Sequence, residues 1–216
     1  MEITTITVAD AVADELRRRL LAGQYQGGEQ LRDTELAAEF GVARPTVRAA
    51  VQTLVADGLL ERGRGRSAEV RHFTAEDAID LYRLRRPIET EALEMVVSGR
   101  RPLTEIDAAM RRFAALDPDV SWEVVANHDI GFHRAVFVAA GSPRLLRTFD
   151  EVSSELRLLI AQLRPTYASV ADLAHEHELM LLVLRSGDLA KARTAWNEHF
   201  DESEQFFLNL IQERAL

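Results

Sequence analysis

The 216-residue chain has no cysteine. Disulfides, thiolate zinc sites, iron–sulfur clusters and thiol catalysis are thereby excluded. Lysine is almost as scarce: Lys191 stands alone among 26 basic residues, and the rest are arginine. Long apolar runs are also missing. Charge-free stretches such as Leu179 to Leu184 fall far short of the roughly 20 residues a membrane helix needs, so no membrane partner is expected. The opening MEITTITVAD is acidic and has no basic region ahead of an apolar core, so it does not read as a signal peptide. The cytoplasm is the expected location. What is present is an ordinary globular composition, 47% hydrophobic and 28% charged, long enough for one or two domains. A formal net charge of −9 argues, at first sight, against nucleic acid.

Divided along the chain, that charge is uneven. Residues 1–72 carry ten arginines and eleven acids, whereas 73–216 carry sixteen basic residues and twenty-four acids. Between Arg44 and Arg71, six arginines face only Asp57, Glu61 and Glu69. Local sign governs phosphate binding more than total sign does. On charge alone, a mixed solvated surface explains the segment equally well.

Apolar residues recur at helical spacing through Val8, Val12, Leu16, Leu20 and Leu21, ending at Gly23. Gly27-Gly28 marks a turn. A short helix is predicted over about Asp33 to Phe40, with acids in its first turn where the helix dipole favours them. After Gly41-Val42, a third helix begins near Arg44 with Pro45 early, where a missing N–H costs nothing. Val47, Val51, Leu54 and Val55 form its apolar face, and Asp57-Gly58 ends it. Leu59 to Arg62 and Ala68 to Arg71 read as strands of a hairpin around Gly63-Arg64-Gly65-Arg66. The remainder reads as six helices: about Ala75 to Ser98, Leu103 to Leu116, Trp122 to Ala140, Pro143 to Leu163, Val170 to Ser186 and Leu189 to Ile211. Pro87 predicts a kink or local unwinding in the first of these. The expected fold is therefore mainly α: a winged helix-turn-helix domain over 1–72, then an all-helical bundle over 73–216.

In a winged helix-turn-helix the third helix enters the major groove, and its N-terminal residues reach base edges. Arg44, Pro45, Thr46 and Arg48 stand at that end. Arginine can bind guanine bidentately, and threonine can bond a phosphate or meet a thymine methyl. Arg44 and Arg48, four apart, share a helix face. Arg64, Gly65 and Arg66 at the hairpin tip suit a minor groove or a phosphate. The segment LRDTELAAEFGVARPTVRAAVQTLVADGLLERGRGRSAEV resembles the DNA-binding domain of GntR-family bacterial transcription regulators. By that resemblance, Ala43, Arg44, Pro45, Thr46 and Arg48 lie at the major groove and the wing tip at the minor groove. Ala43 and Pro45-Thr46 depart from the commoner pattern, which puts Ser or Thr first and Thr-Pro later. Ala43 offers no hydroxyl to a phosphate.

In the helical region, Asp129 and His133 lie at i and i+4 on one helix. His177 lies ten residues before Gly187 and His199 twelve after it. If Gly187-Asp188 joins antiparallel helices, those spans are about 15 Å and 18 Å, so both histidines stand at one level. One carboxylate and three imidazoles suit Zn²⁺, Ni²⁺ or Mn²⁺. Scattered surface histidines are the plain alternative. His128 and His175 are rotated away from this set. Trp196, three residues before His199, reads as core or as cavity lining.

LYRLRRPIETEAL, DIGFHRAVFVAAGSPRLL and HEHELMLLVLRSGDLAKARTAWNEHF resemble the FCD (FadR C-terminal) ligand-binding domain, in a form with six long helices. The resemblance implies that Asp129, His133, His177 and His199 bind a divalent metal. It also implies that Arg85 faces the ligand cavity, where its planar fork would take a carboxylate. A salt bridge to Glu89 is the other role open to Arg85. The whole chain then reads as a homodimeric transcription regulator that binds operator DNA and answers to a small organic acid. Two other readings are a metal that serves structure and dimerisation only, and a metalloenzyme in which the ion activates water.

Overall fold

The computed structural model describes residues 7–63, 67–163 and 169–214. The chain forms two compact units, Met1–Phe73 and Thr74–Leu216.

In the first unit, α1 (Val8–Leu21) starts at a reciprocal cap. The Thr7 hydroxyl accepts from the Asp10 N–H at 3.1 Å, and Asp10 Oδ2 accepts from the Thr7 N–H at 2.9 Å. Strand β1 (Gln30–Arg32) leads directly into α2 (Asp33–Phe40). Gly41, at φ 64°, turns the chain towards α3 (Arg44–Ala56). This left-handed conformation is one that glycine adopts without strain. Strands β2 (Leu60–Arg62) and β3 (Ser67–Val70) follow. The sheet is antiparallel in the order β1-β3-β2, with Leu31 opposite Ala68 and Leu60 opposite Val70. Leu16, Leu20, Val47, Ala50, Leu54 and Leu59 are fully buried and form the core.

Strand β1 is absent from the sequence-based reading. It has three residues and one buried side chain, Leu31, so alternation cannot reveal it. Pairing with β3 creates it. Val51 and Val55, expected on the buried face of α3, are only half-buried, and Ala50 takes the inner position.

The second unit contains α4 (Ala75–Ser98), α5 (Thr104–Ala114), α6 (Trp122–Ala140), α7 (Pro143–Leu163), α8 (Val170–Arg185) and α9 (Leu189–Arg214). Helix α6 packs against α4, α5, α7 and α8, and α9 packs along α4 and α8. The central position of α6 explains its apolar character: Ile130, Phe132, Phe137 and Ala140 are all fully buried. Gly187, at φ 71°, makes the turn between α8 and α9. Of the kink or local unwinding expected at Pro87, the unwinding does not occur: α4 is helical through that residue. Pro87 and Arg83 are both exposed, so the Arg83 carbonyl, deprived of its helical donor, can turn to water. Among the described residues, no helix is long and apolar enough to cross a membrane.

Candidate functional site

Asp129 and His133 project inward from one face of α6, His177 from α8 and His199 from α9. All four are buried. Ligand atoms of the three histidines lie within 4.8 Å of one another. His133 Nε2 and His177 Nε2 are 3.3 Å apart, and Asp129 Oδ1 joins at one edge, 3.1 Å from His177 Nε2. His128 is half-buried and His175 exposed, outside the group, as the helical rotation predicts.

Each imidazole in the group has an acceptor on its outer nitrogen. His133 Nδ1 meets Glu89 Oε2 at 2.7 Å, His177 Nδ1 meets the Leu173 carbonyl at 2.8 Å, and His199 Nδ1 meets Glu176 Oε1 at 2.6 Å. A proton on Nδ1 leaves the Nε2 lone pair available, which is what a metal requires of a histidine ligand. The donor set therefore fits a divalent ion. Burial disfavours the charged form of His177, but Asp129 outweighs it and raises the imidazole above its ordinary value. Burial, assisted by the neighbouring imidazoles of His177 and His133, takes His199 down to about 4 despite Glu176. Burial pushes the Asp129 carboxyl up, and the surrounding histidines reverse this, so it stays ionised.

Arg85 and Glu89 lie one turn apart on α4 and are 2% and 1% exposed. Arg85 Nε donates to Glu89 Oε1 at 2.8 Å. Its guanidinium stacks near Tyr82 and Phe200, 5.3 Å and 5.4 Å from their ring centres. Its Nη2 is buried with no hydrogen-bond acceptor among the described residues. Burial would raise the Glu89 carboxyl, but Arg85 and His133 hold it down to about 2. Arg85 thus bridges to Glu89 and also lines a cavity. That cavity, of about 20 Å³, is bordered by Tyr82, Arg85, Asp129, His199 and Ser203 on its polar side, and by Trp122, Ile160 and Phe207 among its apolar walls. Trp196 is buried against Phe132 and does not line it, so its role is core.

Two site residues are missing from the sequence-based set. Glu89 entered it only as a partner of Arg85; its contact with His133 crosses from α4 to α6. Glu176 did not enter at all. Its signal was available, because it lies eleven residues before Gly187 and His199 twelve after, a closer match in level than that of His177.

In the first unit, Arg44 and Pro45 are exposed at the start of α3, and Thr46 is half-buried. Arg48, expected beside Arg44 at the major-groove face, is exposed and held through its Nε. Its Nε donates to Asp33 Oδ2 at 2.8 Å, and Asp33 is buried. Arg17, Arg18, Arg19 and Arg32 are also paired with acids. Arg44 has no ion pair among the described residues and borders a depression shared with Arg32, Thr34 and Ser67. Arg64, Gly65 and Arg66 lie outside the described residues.

A helix-turn-helix with a small wing sheet, followed by a helical unit enclosing a cavity with one polar side, defines a DNA-binding regulator with its own sensing part. Residues 8–70 match the bacterial regulatory proteins of the gntR family, and residues 80–202 match the FCD domain. The chain belongs to the GntR family of transcription regulators that carry an FCD domain. It is 26% identical over 198 residues to the probable D-xylose utilization operon transcriptional repressor of Paenarthrobacter nicotinovorans, covering 91% of this chain and 87% of that one. It is 33% identical over 84 residues to the uncharacterized HTH-type transcriptional regulator YdhC of Bacillus subtilis, a match spanning only 38% of that protein. The crystal structure of transcriptional regulator GntR from Rhodococcus sp. RHA1 superposes with a TM-score of 0.80 at 26% identity, covering 93% of this chain and 97% of that one. These relatives are regulators, which removes the metalloenzyme reading.

Proposed function

We propose that the chain is a cytoplasmic, homodimeric, metal-dependent sensor of small organic acids that controls its own binding to palindromic operator DNA. Asp129, His133, His177 and His199 hold a divalent ion, Zn²⁺, Ni²⁺ or Mn²⁺, which supplies a Lewis-acidic contact for a carboxylate. Arg85 supplies the second contact. The observation that carries this reading is the buried, unpartnered Nη2 of Arg85 beside the histidine group. A buried charged donor without an acceptor is costly, and an anionic ligand removes that cost. A metal serving structure alone gives no reason for this donor.

A cavity of about 20 Å³ holds little more than one water at roughly 10–15 Å³ each, so an acid of several carbons must widen it. Binding then selects a wider state of the helical unit, and that differential affinity is the source of any effect on DNA. On the DNA, Arg44, Pro45, Thr46 and Arg48 meet the major groove and Arg64, Gly65 and Arg66 the minor groove. Dimerisation supplies the two half-sites. The xylose operon relative raises the neutral sugar as a rival ligand, and the buried cation supports the acid.

The test is fluorescence anisotropy on operator DNA with zinc-loaded protein, titrated with paired sugars and sugar acids. An acid, but not its sugar, is expected to shift operator affinity at least fivefold. Arg85→Met should abolish the shift while retaining operator binding. An equal response to the neutral sugar, or full response in the variant, contradicts the reading.

A further inference from the structure

Glu89 accepts two hydrogen bonds at once, one on each oxygen. Oε1 takes the Arg85 Nε–H at 2.8 Å, and Oε2 faces His133 Nδ1 at 2.7 Å. Its side chain is 1% exposed, so water cannot stand in for either partner. Both neighbours present donors, and only a group with acceptors on both ends satisfies them. Glu176 is different: it meets His199 through one oxygen, and its side chain is 30% exposed.

We propose that Glu89 is a positioning residue that locks His133 in its Nδ1–H tautomer and, through the same carboxylate, fixes Arg85 with Nη2 left over for the ligand. The inference rests on the metal reading above and deepens it: one side chain joins the metal half of the site to the anion half. A glutamine at 89 cannot reproduce this. If its carbonyl serves Arg85, its amide N–H₂ faces His133 Nδ1. That favours the Nε2–H tautomer, whose Nε2 has no lone pair for a metal. If its carbonyl serves His133, two donors face each other at Arg85. At position 176 a glutamine carbonyl can accept from His199 Nδ1 while its amide turns towards solvent.

The experiment has two arms on the full chain. Long-range ¹H–¹⁵N correlation of imidazoles in the metal-free protein is expected to show His133 protonated on Nδ1. In Glu89→Gln this signature should shift towards the Nε2–H form, and Glu89→Asp should retain it. Zinc titration against a chromophoric chelator should show affinity reduced about 10–100-fold in Glu89→Gln, the usual range for a lost outer partner. Glu176→Gln should lose about tenfold less. Wild-type protein that binds zinc, yet whose His133 in the metal-free form is the Nε2–H tautomer, overturns the inference and spares the metal reading. So does a Glu89→Gln variant that binds zinc as tightly as wild type. Wild-type protein that binds no zinc overturns both. Because the tautomer is read in wild type, a variant that fails to fold does not shield the proposal.

Discussion

Arg85 and Arg48 show how one residue type is set to different tasks by its neighbours. Arg85 is enclosed, bridged through Nε and without an acceptor at Nη2 among the described residues. Arg48 is half-exposed and held through Nε by the buried Asp33, which leaves its other edge towards solvent. Arg44, without an ion pair among the described residues, is the freest cation at the α3 N-terminus. Arg44→Ala is therefore expected to weaken specific operator binding by about 1–3 kcal/mol, with the melting curve unchanged. Unaltered affinity in a gel-shift titration would count against α3 as the reading helix. Acid titration gives a second expectation at this scale. His199, held at about 4 against an ordinary 6.5, favours folding above about pH 6.5, and this contribution is lost as pH falls towards 4. Glu89, at about 2 against 4.5, acts in the same sense lower down, between about pH 4.5 and 2. His177 is raised, so its contribution is present below 6.5 and lost on the alkaline side. Urea midpoints of the metal-free protein should therefore peak near pH 6.5 and decline towards pH 4. A monotonic rise on acidification to pH 4 contradicts these assignments.

Elements were legible where one periodicity spans many residues. Helices α4 and α6 begin and end where caps and glycines place them, and α7 begins at Pro143 as expected. Thr74 shows why: its hydroxyl accepts from the Asp77 N–H while Asp77 accepts from the Thr74 N–H. Strand β1 was not legible, because a three-residue strand with one buried side chain carries no period and owes its existence to β3. The same division holds in the site. Asp129 and His133 are visible as i and i+4, and His177 and His199 through their distances from Gly187. The Glu89 to His133 contact depends on how α4 packs against α6, which no local pattern encodes. Gly187 offers a test of the α8–α9 turn. A methyl group there would meet nothing within 4 Å, so only the left-handed backbone penalises Gly187→Ala. The expected destabilisation is about 1 kcal/mol, read as a shift in denaturation midpoint. No shift would remove this turn as the device that aligns His177 with His199.

For the whole molecule, the net charge of −9 describes mainly the second unit. The first unit is nearly neutral in sum, and its α1 arginines are matched by acids such as Glu15 and Asp57. Non-specific DNA affinity should therefore be weak and fall steeply with salt, which titration on a scrambled duplex at two salt concentrations would measure. The proposed sensing mechanism calls for a bound ion and a second copy of the chain, and native mass spectrometry of zinc-reconstituted protein addresses both together. The account predicts a species of two chains carrying two zinc ions, with the ions lost in His177→Ala. Wild-type protein that appears free of zinc after reconstitution would contradict it.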